Sequence, residues 1–272
     1  MSSQTPSAKR LTAPEIRARK GQTPLVCLTA YSAPMAAIMD AHCDILLVGD
    51  SVGMAVHGLA STIGVTLEMM SLHGQAVMRG ASRAFVVIDM PFGSYEASPE
   101  QAFLNATRLL KETGAQAVKV ESGPAIADTV RFLTDRGIAV MGHVGLRPQA
   151  VNLDGGFKAK GRTEEERLRV IREAKDTDAA GVFAIVVEGV AEDLAAQITQ
   201  LVAAPTIGIG ASKMCDGQIL VVDDMLGLFD WTPRFVRHYA DLRHIIGEAV
   251  SAYAKDVRAR AFPAPEETYF SK

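Results

Sequence analysis

Asp50, Asp89, Glu121, His143 and Glu188 each stand at or just past the end of a short run rich in Val, Ile and Leu. One such carboxylate is an ordinary helix cap. Four of them with a histidine, at equivalent points of five runs, form a constellation. Side-chain alternation sharpens it. In Ala115–Glu121 a period of two puts Ala117, Lys119 and Glu121 on one face and Val118 and Val120 on the other. Val faces a helix layer, so Lys119 and Glu121 point away from it, into the interior. A buried lysine needs a charged partner or ligand, and a Lys119–Glu121 ion pair is the plain structural explanation. The same alternation turns His143 inward with Met141 and Ala139, where a satisfied core histidine is the plain alternative. Three inward carboxylates (Asp50, Asp89, Glu121) without a cation repel one another and raise their own pKa values. An all-oxygen set suits a hard divalent ion such as Mg²⁺, while zinc lacks a Cys or His pair at ligand spacing.

The elements that must hold these residues repeat. Short apolar runs occur at 24–29, 44–49, 84–89, 115–121, 138–143, 182–188, 205–210 and 218–223, nearly continuous in apolar character, as strands covered on both faces should be. Amphipathic segments separate most of them. Ser98-Pro-Glu-Gln101 and Thr163-Glu-Glu-Glu166 open two helices with capping residues, and Gly114 and Gly137 each sit just before the next strand, where a left-handed helix cap is wanted. Eight strand-then-helix units predict an α/β chain folded as a (β/α)8 barrel, whose working site lies at the C-terminal strand ends. A doubly wound sheet would place a glycine loop after its first strand, and here that strand runs into Thr29-Ala-Tyr-Ser32. Long connections after the second and fifth runs (51–65 and 144–162) leave the same rim, and the latter, with Asp154-Gly-Gly-Phe-Lys158, reads as a Gly-hinged lid.

Composition bounds the rest. The 272 residues are expected to form a single barrel domain, with residues 1–20 as an arm and short helix and 224–272 as extra C-terminal helices and a tail. Thr12-Ala-Pro-Glu15 has capping-box spacing, and the tail from Phe262 is expected to lie extended. With 28 basic against 31 acidic residues the net charge of −3 implies no nucleic-acid surface, and no apolar run reaches the length of a membrane span. Cys27, Cys43 and Cys215 read as reduced, buried thiols of a cytoplasmic protein, and residues 1–10 lack the apolar stretch of a secretory signal.

These residues lie in stretches that resemble the ketopantoate hydroxymethyltransferase family: Val48–Met54, Asp89–Tyr95, Lys119-Val-Glu121, Met141–Leu146, Gly155–Lys158 with Gly161-Arg162, Val187–Gly189, and Gly208–Ala211 leading to Asp216-Gly-Gln218. The resemblance runs from about Leu25 to Pro265. It implies a barrel of the phosphoenolpyruvate/pyruvate type and transfer of a hydroxymethyl group from 5,10-methylenetetrahydrofolate to 3-methyl-2-oxobutanoate, in pantothenate synthesis. It further implies Asp50, Asp89 and Glu121 as Mg²⁺ ligands, Asp50, Ser51, Asp89 and Lys119 as keto-acid contacts, and Glu188 as the general base. His143 is expected to partner an enolate oxygen or a water on the metal. The family also implies a homo-oligomer, expected to be a decamer. Ser32 stands where the family often has Asp, and Asp223 where it often has His. A Mg²⁺-dependent C–C lyase or mutase of the phosphoenolpyruvate mutase/isocitrate lyase type is the enzymatic rival, although its lid cysteine motif is absent. A keto-acid or folate binding module without activity is the second rival, and would have no use for Glu188.

Overall fold

The computed structural model describes residues 9–123 and 126–271. Its strands are β1 (Leu25–Thr29), β2 (Ile45–Val48), β3 (Phe85–Asp89), β4 (Ala117–Glu121), β5 (Ala139–Gly145), β6 (Ala184–Glu188), β7 (Thr206–Ile209) and β8 (Gly217–Leu220), and they close in sequence order into a parallel barrel. The helices are α1 (Ala13–Arg17), α2 (Ala33–Met39), α3 (Val52–Ala55), α4 (Leu67–Gly80), α5 (Pro99–Thr113), α6 (Ile126–Thr134), α7 (Val151–Asp154), α8 (Glu164–Ala179), α9 (Glu192–Leu201), α10 (Val222–Met225) and α11 (Leu242–Arg258). The chain divides into two compact units, one ending at Val221 and the other beginning at Val222.

Local chemistry sets the helix ends. Glu15 Oε2 accepts from Thr12 N at 2.9 Å, so the short α1 has its box. The Ser98 and Thr163 hydroxyls accept from Gln101 N at 3.1 Å and Glu166 N at 3.2 Å, starting α5 and α8. Asp40, just past α2, accepts from the N–H groups of Ser82, Arg83 and Ala84 and so ties that helix to the start of β3.

The barrel lumen is a packed core. Cys27, Ile45, Leu47, Phe85, Val87, Ala117, Met141, Phe183, Val186, Ile207 and Ile219 fill it, with Phe85 and Phe183 edge to face at 5.2 Å. Ile16 of α1 belongs to this cluster at 1% exposure, so the first helix stoppers the N-terminal end. Burying each such side chain contributes about 1.5–3 kcal/mol. Asp216 closes the seam: it accepts from Thr206 N and Gly21 N, and Lys20 lies 2.9 Å away. The three cysteines are free and buried.

Strand pairing carries the polar residues to the opposite end. Register sets Asp89 beside Lys119, Glu121 beside His143, and Gly145 beside Glu188. Gly145 is required there: its φ is +99°, and a Cβ would lie 2.3 Å from the Glu188 carbonyl oxygen.

Some boundaries differ from expectation. The eighth strand ends at Leu220 rather than Asp223, because Asp223 and Asp224 lie in the first turn of α10, where acidic side chains suit the helix dipole. The fifth strand runs on to Gly145. Gly155, with φ of +65°, caps α7 and closes a turn. The tail holds a 3₁₀ turn at Pro265–Glu267 where an extended segment was expected.

Candidate active site

At the C-terminal ends of the strands the charged residues meet. Asp89, the last residue of β3, lies 2.7 Å from the Lys119 ammonium, both side chains being nearly inaccessible. The buried lysine thus pairs with Asp89, and not with Glu121 as simple alternation would have it. Asp89 Oδ2 also accepts from Asp50 N at 3.0 Å, which brings the turn after β2 onto β3. Next along the rim, Lys119 Nζ is 3.5 Å from His143 Nδ1, and Glu121 Oε1 is 3.8 Å from the same nitrogen. An ammonium only donates, so Nδ1 accepts and the neutral ring carries its proton on Nε2, which faces Glu188 Oε2 at 3.2 Å. Ser51 sits apart from this chain of contacts, its hydroxyl 2.8 Å from Tyr31 Oη.

Electrostatics follow from burial. Asp50 is pushed up to about 7, by desolvation first and the Asp89 charge second. Glu121 rises well above the carboxylate range through burial and then Asp50. Burial works against the Lys119 ammonium, but Asp89, Asp50 and Glu121 outweigh it and raise its pKa. Burial and then Lys119 lower His143, which stays neutral. The pocket therefore has a surplus of buried acid that one lysine does not balance.

That surplus, in an oxygen-only donor set, fits a hard divalent cation. Among the described residues no three His, Cys, Asp or Glu side chains stand together as a metal-holding group. Glu121 is occupied on both oxygens by Gln149 N at 3.2 Å. The set therefore fits a cation that keeps several waters, as Mg²⁺ does, better than one requiring three side chains in direct contact.

Two cavities share Glu121. The inner one is lined by Thr29, Asp89, Lys119, His143 and Glu188. The outer cleft, about 270 Å³, lies between Ile63, Phe92, Tyr95, Arg147, Gln149 and Leu153. Sequence reasoning missed Gln149 and Tyr95 as parts of the site. Tyr95 ends a stretch singled out for its resemblance. Gln149 is an uncharged amide beyond a strand, and carries no such mark.

The model of the ketopantoate hydroxymethyltransferase family matches residues 10–265. A curated relative from Phenylobacterium zucineum (strain HLK1), named 3-methyl-2-oxobutanoate hydroxymethyltransferase, is 70% identical over 97% of this chain and 96% of its own length. One of the same name from Caulobacter vibrioides (strain NA1000 / CB15N) is 67% identical over 98% and 97%. Among solved structures, 2,3-dimethylmalate lyase, a PEP mutase/isocitrate lyase superfamily member, superposes with a TM-score of 0.60 at 16% identity over 96% of this chain and 89% of that one. The phosphoenolpyruvate phosphomutase of Streptomyces platensis subsp. rosaceus does so with a TM-score of 0.60 at 13% identity, over 94% and 92%. At such identities the likeness shows the barrel fold alone. The family match spans nearly the whole sequence and the close relatives carry one name, so the chain is an enzyme, a transferase, and belongs to the ketopantoate hydroxymethyltransferase family.

Proposed function

We propose that the barrel mouth transfers a hydroxymethyl group from 5,10-methylenetetrahydrofolate to 3-methyl-2-oxobutanoate, giving ketopantoate for pantothenate synthesis. The observation that carries this reading is the placement of Glu188. Its side chain is 19% exposed, against 3% for Asp89 and 5% for Glu121, and it faces the same small cavity as Lys119. An accessible carboxylate beside a buried cation is what removal of a proton next to a ketone requires. The two curated relatives bear the name of this reaction.

In this reading the keto acid occupies the inner cavity. Asp50, Asp89 and Glu121 would hold Mg²⁺, which would supply Lewis-acid stabilisation of negative charge on the keto oxygen. Glu188 takes the proton from C3, and His143 Nε2–H steadies the Glu188 carboxylate. Lys119 holds positive charge against the substrate's oxygens, and Ser51 donates to the substrate carboxylate. The C3 carbon then bonds to the donor's methylene carbon and one water supplies the hydroxyl oxygen. Both carbon–nitrogen bonds of the methylene bridge break with their electron pairs left on the two folate nitrogens, which take up the C3 proton and one proton of the water. We place the donor in the outer cleft, where Phe92, Ile63 and Leu153 offer apolar cover and Arg147 a positive charge.

The homo-oligomer implied by the family has a suitable surface. Ile246, Val250, Tyr253 and Val257 recur at helical spacing along α11 and all are exposed.

The deciding experiment is keto-acid consumption with and without 5,10-methylenetetrahydrofolate and Mg²⁺. Consumption should require both and yield ketopantoate. Cleavage of a carbon–carbon bond without folate would replace this reading by the lyase one.

A further inference from the structure

Gln149, on the 3₁₀ turn Pro148–Ala150 after β5, reaches the ends of three other strands. Its Nε2 donates to Asp50 Oδ2 at 2.8 Å and to the Met90 carbonyl at 2.9 Å. A carbonyl only accepts, which fixes the amide's orientation. Its Oε1 accepts from Tyr95 Oη at 2.6 Å, and that oxygen in turn accepts from Glu121 N at 3.2 Å. The tyrosine therefore spends its single proton on Gln149. The backbone N–H of Gln149 is shared between the two oxygens of Glu121. The side chain is buried, and all its hydrogen-bonding groups are used.

The geometry points to Gln149 as a positioning residue: the bonds that seat the connection after β5 on the barrel mouth are the ones that set Asp50 and Glu121 relative to each other. An amide suits the task. It holds carboxylates by N–H donation without neutralising them, whereas a lysine would cancel the negative surplus and a glutamate would add to it. Seating the loop and aligning the carboxylates thus become one event. The part concerning a cation rests on the reading of Asp50 and Glu121 given under Proposed function; the loop seating stands on the bonds alone.

Gln149→Met keeps the length of the side chain and removes its bonds, and Tyr95→Phe removes only the hydroxyl that orients the amide. Two properties decide the matter: Mn²⁺ binding to the metal-free protein, followed by electron paramagnetic resonance, and amide hydrogen exchange across residues 147–158. Gln149→Met should weaken Mn²⁺ binding about 10–100-fold and speed exchange in that segment, with the melting temperature held within a few degrees. Its kcat at saturating metal should fall by a smaller factor than the metal affinity. Tyr95→Phe should move both readouts the same way by less, and it carries the test alone if Gln149→Met does not fold. Mn²⁺ affinity within twofold of the parent, weakened affinity with unchanged exchange, or losses that only track a lowered melting temperature would each overturn the proposal. A parent protein that binds no Mn²⁺ strikes the cation reading instead, and the exchange arm still judges the seating of the loop.

Discussion

Asp89 and Lys119 are the pair on which the rest of the mouth leans. Both are desolvated, and removing Asp89 leaves Lys119 with only the charges of Asp50 and Glu121 beyond ion-pair distance, a change that costs at most about 3–5 kcal/mol. Asp89→Ala should lower the unfolding free energy by up to that amount, read from urea denaturation, and should weaken keto-acid binding and its dependence on Mg²⁺ in calorimetry. Glu188 predicts the opposite profile. It is partly exposed and holds no buried partner charge in place, so Glu188→Gln should leave the melting temperature and keto-acid binding near parental values. The same change should slow exchange of the C3 proton with deuterated solvent at least 100-fold by NMR. Undiminished exchange would assign the base elsewhere. Both residues were legible in the sequence, because a charge ending a Val- and Ile-rich strand is conspicuous. Gln149 was not. It lies four residues past the last residue of β5, and its role depends on four partners (Asp50, Met90, Tyr95 and Glu121) brought together only by barrel closure.

At the scale of elements, the eight strands were readable because parallel strands covered on both faces must be apolar throughout. The capped starts of α5 and α8 were readable because Ser or Thr before an acidic or amide third position answers a local need. The end of β8 was not: Ile219-Leu-Val-Val222 stays apolar across the change from strand to helix, so hydrophobicity alone draws no line there. Asp40 shows how much one junction depends on charge. Burial raises its pKa, but the N–H groups of Ala84, Ser82 and Arg83 and the Ser82 hydroxyl outweigh that and lower it overall. A folded-state value below the unfolded one means that the unfolded chain takes up the proton first. The stabilisation is therefore present above the unfolded value of about 3.9 and is lost as pH falls through the folded one. Asp40→Asn should cost about 1–3 kcal/mol at pH 7, and the gap from the parent should shrink steadily in denaturation series below about pH 4.

At the scale of the molecule, α11 has no buried residue, yet its Ile246, Val250, Tyr253 and Val257 form an apolar stripe. A face of that kind is covered by another protein surface far more often than by water. Ile246→Asp combined with Val250→Asp should lower the mass found by light scattering while leaving the barrel's circular dichroism unchanged. Retention of the parental mass would move the interface elsewhere. The N-terminal end of the barrel has a different consequence. With Ile16 seated among Phe85, Phe183 and their neighbours, the strands enclose a blind well and not a conduit. Whatever reaches the chamber beside Glu188 therefore comes and goes by the mouth of the barrel, where Glu121 also borders the outer cleft. On the proposed placement of the two reactants, traffic would then be ordered by depth: the smaller one would descend first, its bulky carbon carrier would settle above it as a cork, and departure would follow the reverse queue.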